Sequence, residues 1–411
     1  MASTDRMAAP VLAPERRSGS GRPFAVTALA LFVLLAGANL ATPLYAVYRE
    51  RFGFSSATLT VIFASYAIVL VVTLPFFGQL SDRLGRRRMI ASGLAIGMVA
   101  QVLFVLATGV GWLLAARIVQ GLALGVASGA AGAALVELEP HGDARRAALL
   151  STLAQAGGCA AGPALAGALA EWAPAPRMLC YLVGLCVTGL AALAVLRVPE
   201  TAPPARGSRR LTRPGVPRGI RADFVRVAVT ASASWAVAAV FLSVVPSYAG
   251  DLLASDDLAL LGAISALMLC ASCAGQLIGR RAESERHAQA VGLGLLAAGL
   301  ASLVLAFPAR SLALVLAAAV LTGVGHGLGF LGAQGEVNRI APPERRGEVT
   351  AAFYGCIYLG VAVLVISLGL VGLEVALSSA VAAFAAVVGL TAVLTAAWHA
   401  AGGRHTRARP D

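Results

Sequence analysis

A chain of 411 residues with 58% hydrophobic and only 13% charged residues, and a mean hydropathy of +0.81, lies outside the range of soluble proteins. Its apolar segments recur along nearly the whole length, so no soluble block is large enough to bury a core of its own. The formal charge of +12 does not indicate nucleic-acid binding, because the 32 basic residues, all arginine, are divided among short polar segments.

Twelve apolar segments are each long enough to cross a bilayer core of roughly 30 Å as a helix. The first follows Arg16, Arg17 and Arg22 as a signal peptide would, but its apolar run continues to Tyr48, and we interpret it as an uncleaved helix. The predicted spans are 24–47, 58–78, 89–107, 112–136, 148–170, 178–196, 224–248, 258–279, 288–307, 311–335, 349–372 and 376–398. The sequence therefore predicts an all-α membrane protein with twelve transmembrane helices.

The arginines predict the orientation of these spans, because short cytoplasmic loops are enriched in basic residues. Of the 32 arginines, 27 fall in the two termini and in the loops that follow even-numbered spans. Arg49, Arg51, Arg177 and Arg310 fall on the opposite side, and Arg117 lies within the fourth span. We therefore expect a multi-pass protein of the cell (inner or plasma) membrane with both termini in the cytoplasm.

The stretch VPETAPPARGSRRLTRPGVPRGIRADF, rich in proline, glycine and arginine, is typical of a solvated linker and divides the spans six and six. GQLSDR at 78–83 recurs as GQLIGR at 275–280, in the same place of the second half. The repetition predicts two pseudo-symmetric six-helix bundles that rock about a substrate site near the bilayer midplane. The predicted division is an N-terminal tail (1–23), an N-terminal bundle (24–197), a linker (198–223), a C-terminal bundle (224–398) and a C-terminal tail (399–411).

The polar segment GQLSDRLGRRR at 78–88 separates the second and third spans. Gly78 and Gly85 permit a sharp turn between helices, and Asp82 can offer its carboxylate to an arginine or to a helix N-terminus. A topology signal alone explains the arginines but not the order G-x-L-x-D-R-x-G-R-R. That order resembles the signature between helices 2 and 3 of the major facilitator superfamily.

Two further motifs carry the same resemblance, which covers essentially the whole chain. The R-x-x-Q-G motif of the fourth span is matched by Arg117, Gln120 and Gly121. The fifth span is similar to the signature of the 12-helix drug:proton antiporter branch, through Gly158, Gly162, Pro163 and Gly167. The resemblance implies the major facilitator fold. It also implies a cytoplasmic latch that holds the halves together, formed by Gly78, Asp82, Arg83, Gly85, Arg86 and Arg87.

Arg117 is the one charge that clearly falls inside a predicted span, and burying it costs several kcal/mol unless it finds partners. It is either a structural arginine capped by carbonyl groups or by Gln120 and Gln155, or, as the resemblance implies, a coupling or cavity residue. His326 is the best titratable candidate near the midplane, with a packing role as the alternative. The predicted coupling and cavity residues are therefore Arg117, Gln120 and His326.

Polar and aromatic residues in the middle of otherwise apolar spans are the candidates for substrate contact. Each of them alone is more often a packing residue, but a site between two rocking halves should draw on both, as this set does. The predicted residues are Asn39, Tyr66, Gln155, Trp235, Tyr354 and Tyr358.

These features predict a secondary active transporter that works by alternating access, with proton-coupled efflux of small amphipathic compounds as the leading function. The alternatives are a proton-coupled uptake symporter for a metabolite and a non-transporting membrane receptor or scaffold. We expect no enzyme activity, because no intramembrane HExxH, GxSxG or paired aspartates occur, and no P-loop for ATP. The expected partners are the lipid bilayer, a small-molecule substrate and protons, and we expect a monomer without cofactor, metal or nucleic acid.

Overall fold

The computed structural model of the protein describes residues 21–201, 215–282, 284–342 and 345–407, and all regular structure within these ranges is helical. A single turn of 3-10 helix at Arg218–Ile220 precedes the second half. The α-helices are α1 (Arg22–Asn39), α2 (Tyr45–Phe52), α3 (Ser56–Leu84), α4 (Arg86–Val105), α5 (Val110–Leu138), α6 (Ala144–Trp172), α7 (Leu179–Val195), α8 (Arg221–Ser243), α9 (Val245–Leu253), α10 (Leu258–Gly279), α11 (Glu285–Ala309), α12 (Leu312–Ile340), α13 (Arg346–Glu374) and α14 (Leu377–Arg407).

Ten of the twelve predicted spans coincide with a single helix, and the spans 24–47 and 224–248 each cover parts of two helices. Ten helices of the described chain are long and apolar enough to cross a membrane, judged by length and composition. Two shorter apolar stretches, Val61–Leu74 within α3 and Leu179–Val195, occupy the places of the other two spans. The predicted all-α membrane fold is confirmed.

The first helix of each half is broken, so the expectation of one continuous helix over 24–47 and over 224–248 was wrong. The turn between α1 and α2 contains Pro43, whose missing N–H cannot continue a helical hydrogen-bond ladder. In the second half, α8 and α9 meet at Val244, and Pro246 occupies the second position of α9. The two halves thus share a short additional helix at the same place.

Helix packing repeats in the same way in the two halves. The neighbours α3–α5, α4–α5, α1–α6 and α4–α7 of the first half correspond to α10–α12, α11–α12, α8–α13 and α11–α14 of the second. The halves meet chiefly along two contacts, α6 against α10 and α3 against α13. These contacts form the two walls of the interface between the bundles.

Two ends of the bundle are used below as reference points. The linker end contains the α3–α4 junction at Gly85, the α5–α6 turn at 139–143 and the segment 196–201. The far end contains the α2–α3 turn at 53–55 and the α9–α10 turn at 254–257. By the predicted topology, the linker end faces the cytoplasm.

The segment GQLSDRLGRRR is mostly helix rather than loop. The helix α3 continues to Leu84 and α4 begins at Arg86, so the turn falls on Gly85 alone, which has φ +96°. Gly78 lies inside α3, and its predicted part in the turn is wrong. Helix propagation through the motif places its charges on two helix ends, where side chains can reach neighbouring helices.

Candidate functional site

The described latch residues bind groups of the first half. The Arg86 guanidinium donates to the Ser81 hydroxyl on α3 and forms an ion pair of 3.2 Å with Glu137 at the end of α5. Arg87 donates to the carbonyl oxygens of Leu196 and Val198, each at 3.4 Å. These contacts fasten α4 to α3, α5 and the segment after α7.

The VPET segment at 198–201 completes this cluster. The Glu200 carboxylate accepts a hydrogen bond of 3.3 Å from the backbone N–H of Arg87 and lies where a side chain on Gly85 would have to stand. The Thr201 hydroxyl donates to Glu137. Gly85 is therefore needed twice, for its positive φ and for the room that Glu200 occupies.

The acidic residue of the predicted latch, Asp82, has a side chain that lies outside the described residues. The neighbouring Arg83 lies in the last turn of α3. A contact between the latch and the second half therefore stays a prediction.

The α5–α6 turn is stabilised by Glu139, whose side chain is buried next to it. Burial by itself raises the pKa of this carboxyl, but hydrogen bonds from the backbone N–H groups of Asp143 and His141, each 2.7 Å long, and the nearby charge of Arg146 outweigh it. The net pKa is lowered, so Glu139 holds the turn in its ionised form.

The second half repeats the Arg86–Glu137 pair with the charges exchanged. Arg86 and Glu285 are the first residues of α4 and α11, and Glu137 and Arg339 are the penultimate residues of α5 and α12. Glu285 and Arg339 form an ion pair of 2.9 Å. The pseudo-symmetry of the fold therefore extends to a helix–helix ion pair at the linker end.

A larger ion network is buried beside this pair. Glu336 on α12 has no exposed surface and forms ion pairs with Arg226 on α8 at 2.7 Å and Arg286 on α11 at 3.0 Å. Gln289 donates to its other carboxylate oxygen at 2.6 Å. Asp223 binds both arginines, at 2.8 and 3.3 Å. Arg226 and Glu336 are 110 positions apart in the sequence, and no motif predicted that they pair.

Arg117 on α5 is 2% exposed and is enclosed by aromatic rings. Its guanidinium carbon lies 5.2 to 5.9 Å from the ring centroids of Tyr45, Phe63, Tyr66 and Phe104, so cation–π attraction replaces part of its hydration. Among the described residues, the side chain has no carboxylate partner and its Nη2 has no acceptor.

The hydrogen bonds of Arg117 connect the two pieces of the broken first helix. It donates to the Ala38 carbonyl oxygen near the end of α1 at 2.8 Å and to the hydroxyl of Tyr45, the first residue of α2. Gln120 accepts a further bond at 2.9 Å and donates to the Gly37 carbonyl. The predicted pair of Arg117 and Gln120 is thus brought together, whereas the amide of Gln155 bonds within its own helix, to Ser151.

The interface between the halves gathers most of the predicted substrate residues. Asn39 on α1 donates to Cys159 on α6 at 3.4 Å, and Cys159 lies within electrostatic range of Tyr66 on α3 and Tyr358 on α13. Tyr358 lies within the same range of Tyr354. Four helices, α1, α3, α6 and α13, therefore converge on one polar patch, and residues from both halves belong to it.

His326 and Trp235 form a separate group inside the second half. His326 on α12 is fully buried, its Nδ1 lies 2.6 Å from the Ser272 hydroxyl on α10, and its Nε2 has no partner among the described residues. Trp235 meets the imidazole edge-on at 5.0 Å, and Phe330 stacks against it at 5.9 Å. No sequence signal indicated Ser272 or Phe330, because both are unremarkable residues of apolar spans.

The antiporter-like motif of α6 lies where that helix touches two others. A Cβ on Gly162 would come 2.5 Å from the Ala36 carbonyl oxygen of α1, and one on Gly167 would come 2.5 Å from the Leu258 carbonyl oxygen of α10. Gly158 faces α1 with equally little room, and Pro163 lies within the helix. The motif therefore allows α6 to approach both α1 of its own half and α10 of the second half closely.

The same contact includes a hydrogen bond between the halves at the far end. The carboxylate of Glu171, near the end of α6, accepts the backbone N–H of Leu258 at the start of α10 at 3.0 Å. Gly262, one turn further along α10, has room for no side chain because its Cβ would lie 2.5 Å from the Pro163 carbonyl oxygen. The α6–α10 wall is closed by these contacts.

A cavity with an enclosed volume of about 30 Å³, partly continuous with solvent, separates the halves elsewhere at the far end. Its first-half wall comes from α2 and α3 and its second-half wall from α8, α9 and α13 and the start of α14. The lining residues are Arg49, Leu59, Phe63, Ser243, Val244, Ser247, Val365, Leu368, Gly369, Gly372 and Leu377. This enclosed space is large enough for about two water molecules, so a drug-sized molecule requires the halves to separate further at this end.

Comparisons with known proteins agree on the family of this arrangement. The chain matches the Major Facilitator Superfamily over residues 27–365. Quinolone resistance protein NorA of Staphylococcus aureus is 26% identical over 155 residues, 38% of this chain and 39% of NorA. Multidrug resistance protein 2 of Bacillus subtilis is 33% identical over 92 residues, 22% of this chain and 23% of that protein. The matched part thus spans less than half the length of these curated relatives.

Two solved structures show the same fold over nearly the whole chain. A D-xylose-proton symporter superposes with a TM-score of 0.75 at 16% identity, covering 92% of this chain and 96% of the symporter. The nucleoside transporter NupG superposes with a TM-score of 0.67 at 11% identity, covering 92% of this chain and 99% of NupG. At these identities the likeness concerns the fold alone.

Proposed function

This chain belongs to the Major Facilitator Superfamily of transporters, and from that premise we propose that it exports small amphipathic compounds by alternating access, in exchange for protons. The observation that carries the proposal is the inter-half cavity, which draws its wall from both bundles and lies beside the buried Arg117 and its aromatic neighbour Phe63. The partial identity with NorA, a quinolone resistance protein, favours export over uptake.

The moving parts in this proposal are the bundles at 24–197 and 224–398, joined by the linker at 198–223. Each bundle is braced at the linker end by its own ion pair, Arg86–Glu137 or Glu285–Arg339, so each can move as one body. The interface contacts at the far end, by contrast, are few polar bonds and close glycine packing, which a rocking motion can separate.

The proposal is tested by accumulation of neutral, anionic and cationic compounds in a pump-deficient bacterium that expresses the protein. Lower accumulation than in the empty-vector control, abolished by a protonophore, is the expected result. Higher accumulation would replace export by uptake through symport. Equal accumulation across the whole panel would contradict transport of amphipathic compounds and favour the receptor or scaffold alternative.

Asp82→Asn is expected to leave the protein inserted and folded but to slow export at least about ten-fold. The amide keeps the shape of the side chain but removes the charge with which the latch would bind arginine. The check is the same accumulation assay, with protein level and melting temperature measured in parallel. Wild-type export by a normally expressed Asp82→Asn variant would remove the latch role.

Gly262→Leu is expected to separate α6 from α10 at the far end. The new side chain has no room against the Pro163 carbonyl oxygen, and overpacking of this kind destabilises the closed contact by about 1–3 kcal/mol. A cysteine placed at Ser247 in the cavity, with the exposed native cysteines replaced, should then react with a maleimide about five-fold faster or more.

The matched control for this labelling is Gly294→Leu, at a helical glycine that has open space where the Cβ would stand. It should leave the labelling rate of the cysteine at position 247 unchanged. Equal labelling of the Gly262→Leu and Gly294→Leu proteins would show that the α6–α10 contact does not control access to the cavity.

A further inference from the structure

We propose that the far-end cavity selects amphipathic anions, a specificity that rests on the proposed function and names its class of cargo. Arg49 on α2 lines the cavity and is the one charged side chain among its lining residues. The remaining wall is apolar apart from the hydroxyls of Ser243 and Ser247. The cavity therefore offers one cationic group beside an extended apolar surface.

A second positive charge lies behind this wall. Phe63 belongs to the cavity lining, and the guanidinium carbon of Arg117 is 5.5 Å from its ring centroid. Arg117 is 2% exposed, and within the described chain no carboxylate lies within ion-pair distance of it. A buried charge without an ion-pair partner acts over a longer distance than a surface charge, because little high-dielectric solvent screens it.

The two charges belong to one structural unit. Arg117 donates to Tyr45, the first residue of α2, and Arg49 lies one helical turn further along the same short helix. Arg117 therefore anchors the start of the short helix that carries Arg49. The potential in the cavity receives a contribution from each, and both are positive at every physiological pH.

Carboxylates on the neighbouring elements do not cancel this potential. Glu50 on α2, Asp251 on α9 and Glu374 at the end of α13 are all exposed, and none of them lines the cavity. Exposed charges are screened by water and salt, so their effect inside the cavity is small. A cationic cargo would have to enter against two arginines, whereas an anionic one would be attracted.

The apolar part of the cargo has a matching surface. Leu59 and Phe63 of the first half face Val244, Val365 and Leu368 of the second across the cavity lining. A molecule with one anionic group and an aromatic or aliphatic body would match both parts of the wall when the halves separate at this end.

The test is thermal stabilisation of the purified full chain by two ligands that share a body and differ in permanent charge, 2-naphthalenesulfonate and 2-naphthyltrimethylammonium. A ligand that binds the folded state raises the melting temperature in proportion to its occupancy. We expect the sulfonate to stabilise the protein at concentrations about ten-fold lower than the ammonium compound. Equal stabilisation by both, preference for the ammonium compound, or no effect of the sulfonate would overturn the proposal.

Variants assign the preference to the cavity. Arg49→Gln should reduce the preference for the sulfonate about three- to ten-fold, and Ser247→Asp should reduce it by a similar factor with Arg49 intact. Arg51→Gln is the matched control, because Arg51 is exposed on the same helix and does not line the cavity. An unchanged preference in both cavity variants would contradict the assignment.

The binding assay contains no membrane and no proton gradient, so it is independent of transport. Loss of export in the cellular assay with an intact sulfonate preference would reject the proposed function alone. Protonophore-sensitive export of compounds that the purified protein binds without charge preference would reject the anion specificity alone.

Discussion

Replacing Glu336 by glutamine is expected to lower the free energy of unfolding by about 3–5 kcal/mol, the largest stability loss that one substitution of this chain should cause. Glu336 is fully buried and neutralises Arg226, which is 4% exposed, together with Arg286. Without its charge, Asp223 would be the remaining carboxylate of the network for two arginines. The buried guanidinium of Arg226 then keeps only the part-exposed Asp223, shared with Arg286, and this opposes folding of the second half.

The measurement is denaturant titration of the purified protein in micelles, with Glu348→Gln as the control. Glu348 also pairs with an arginine, but its partner Arg345 is half exposed, and such surface pairs contribute about 0–1 kcal/mol. The double variant Glu336→Gln/Arg226→Met should recover part of the loss, since it removes the buried charge that lost its buried partner. A loss for Glu336→Gln no larger than that of the control would contradict the network.

Arg117→Met is expected to impair transport much more than stability, unlike Glu336→Gln. Transport should fall at least about 100-fold, and the free energy of unfolding should change by less than about 2 kcal/mol. No described carboxylate loses its partner in this variant, and the desolvation cost of the guanidinium disappears together with its hydrogen bonds. What is lost is the link from Ala38 on α1 to Tyr45 on α2, and with it the fixed position of the cavity wall.

Both quantities are measured on the same preparation, by denaturant titration and by transport in proteoliposomes. Arg117→Lys should give intermediate transport, because lysine keeps the charge but cannot reach several acceptors at fixed angles. Transport by Arg117→Met at more than a tenth of the wild-type rate would show that the guanidinium has a packing role only.

The spans could be predicted because the bilayer imposes a length and a composition on each of them. The prediction of 258–279 coincides with α10 to the residue, and most other spans extend by only a few residues beyond their apolar run. The breaks after α1 and α8 were missed because hydropathy does not register a change of direction inside an apolar segment. Pro43 was the available signal, since proline disfavours a continuing helix.

Contacts around the predicted site residues could be predicted where helical spacing fixes the neighbours, but not where tertiary packing does. Arg117 and Gln120 are three residues apart on one helix, so their contact follows from helical spacing. Arg226 and Glu336 pair although they are 110 positions apart. Each lies at the edge of an apolar run. A helix end that is solvated and a helix end that is buried have the same composition there, so the sequence does not distinguish them. Aromatic residues around Arg117 come from three helices besides its own, and no spacing rule brings them together.

The direct test of proton-coupled export is the internal pH of proteoliposomes that contain the purified protein and a trapped pH indicator, measured after adding a transported compound outside without an initial gradient. An antiporter brings the compound in and moves protons out, so we expect the lumen to become more alkaline and Arg117→Met to abolish the change. Acidification of the lumen would mean symport. A constant internal pH during uptake of the compound would mean that protons are not the coupling ion, and either result would contradict proton-coupled export.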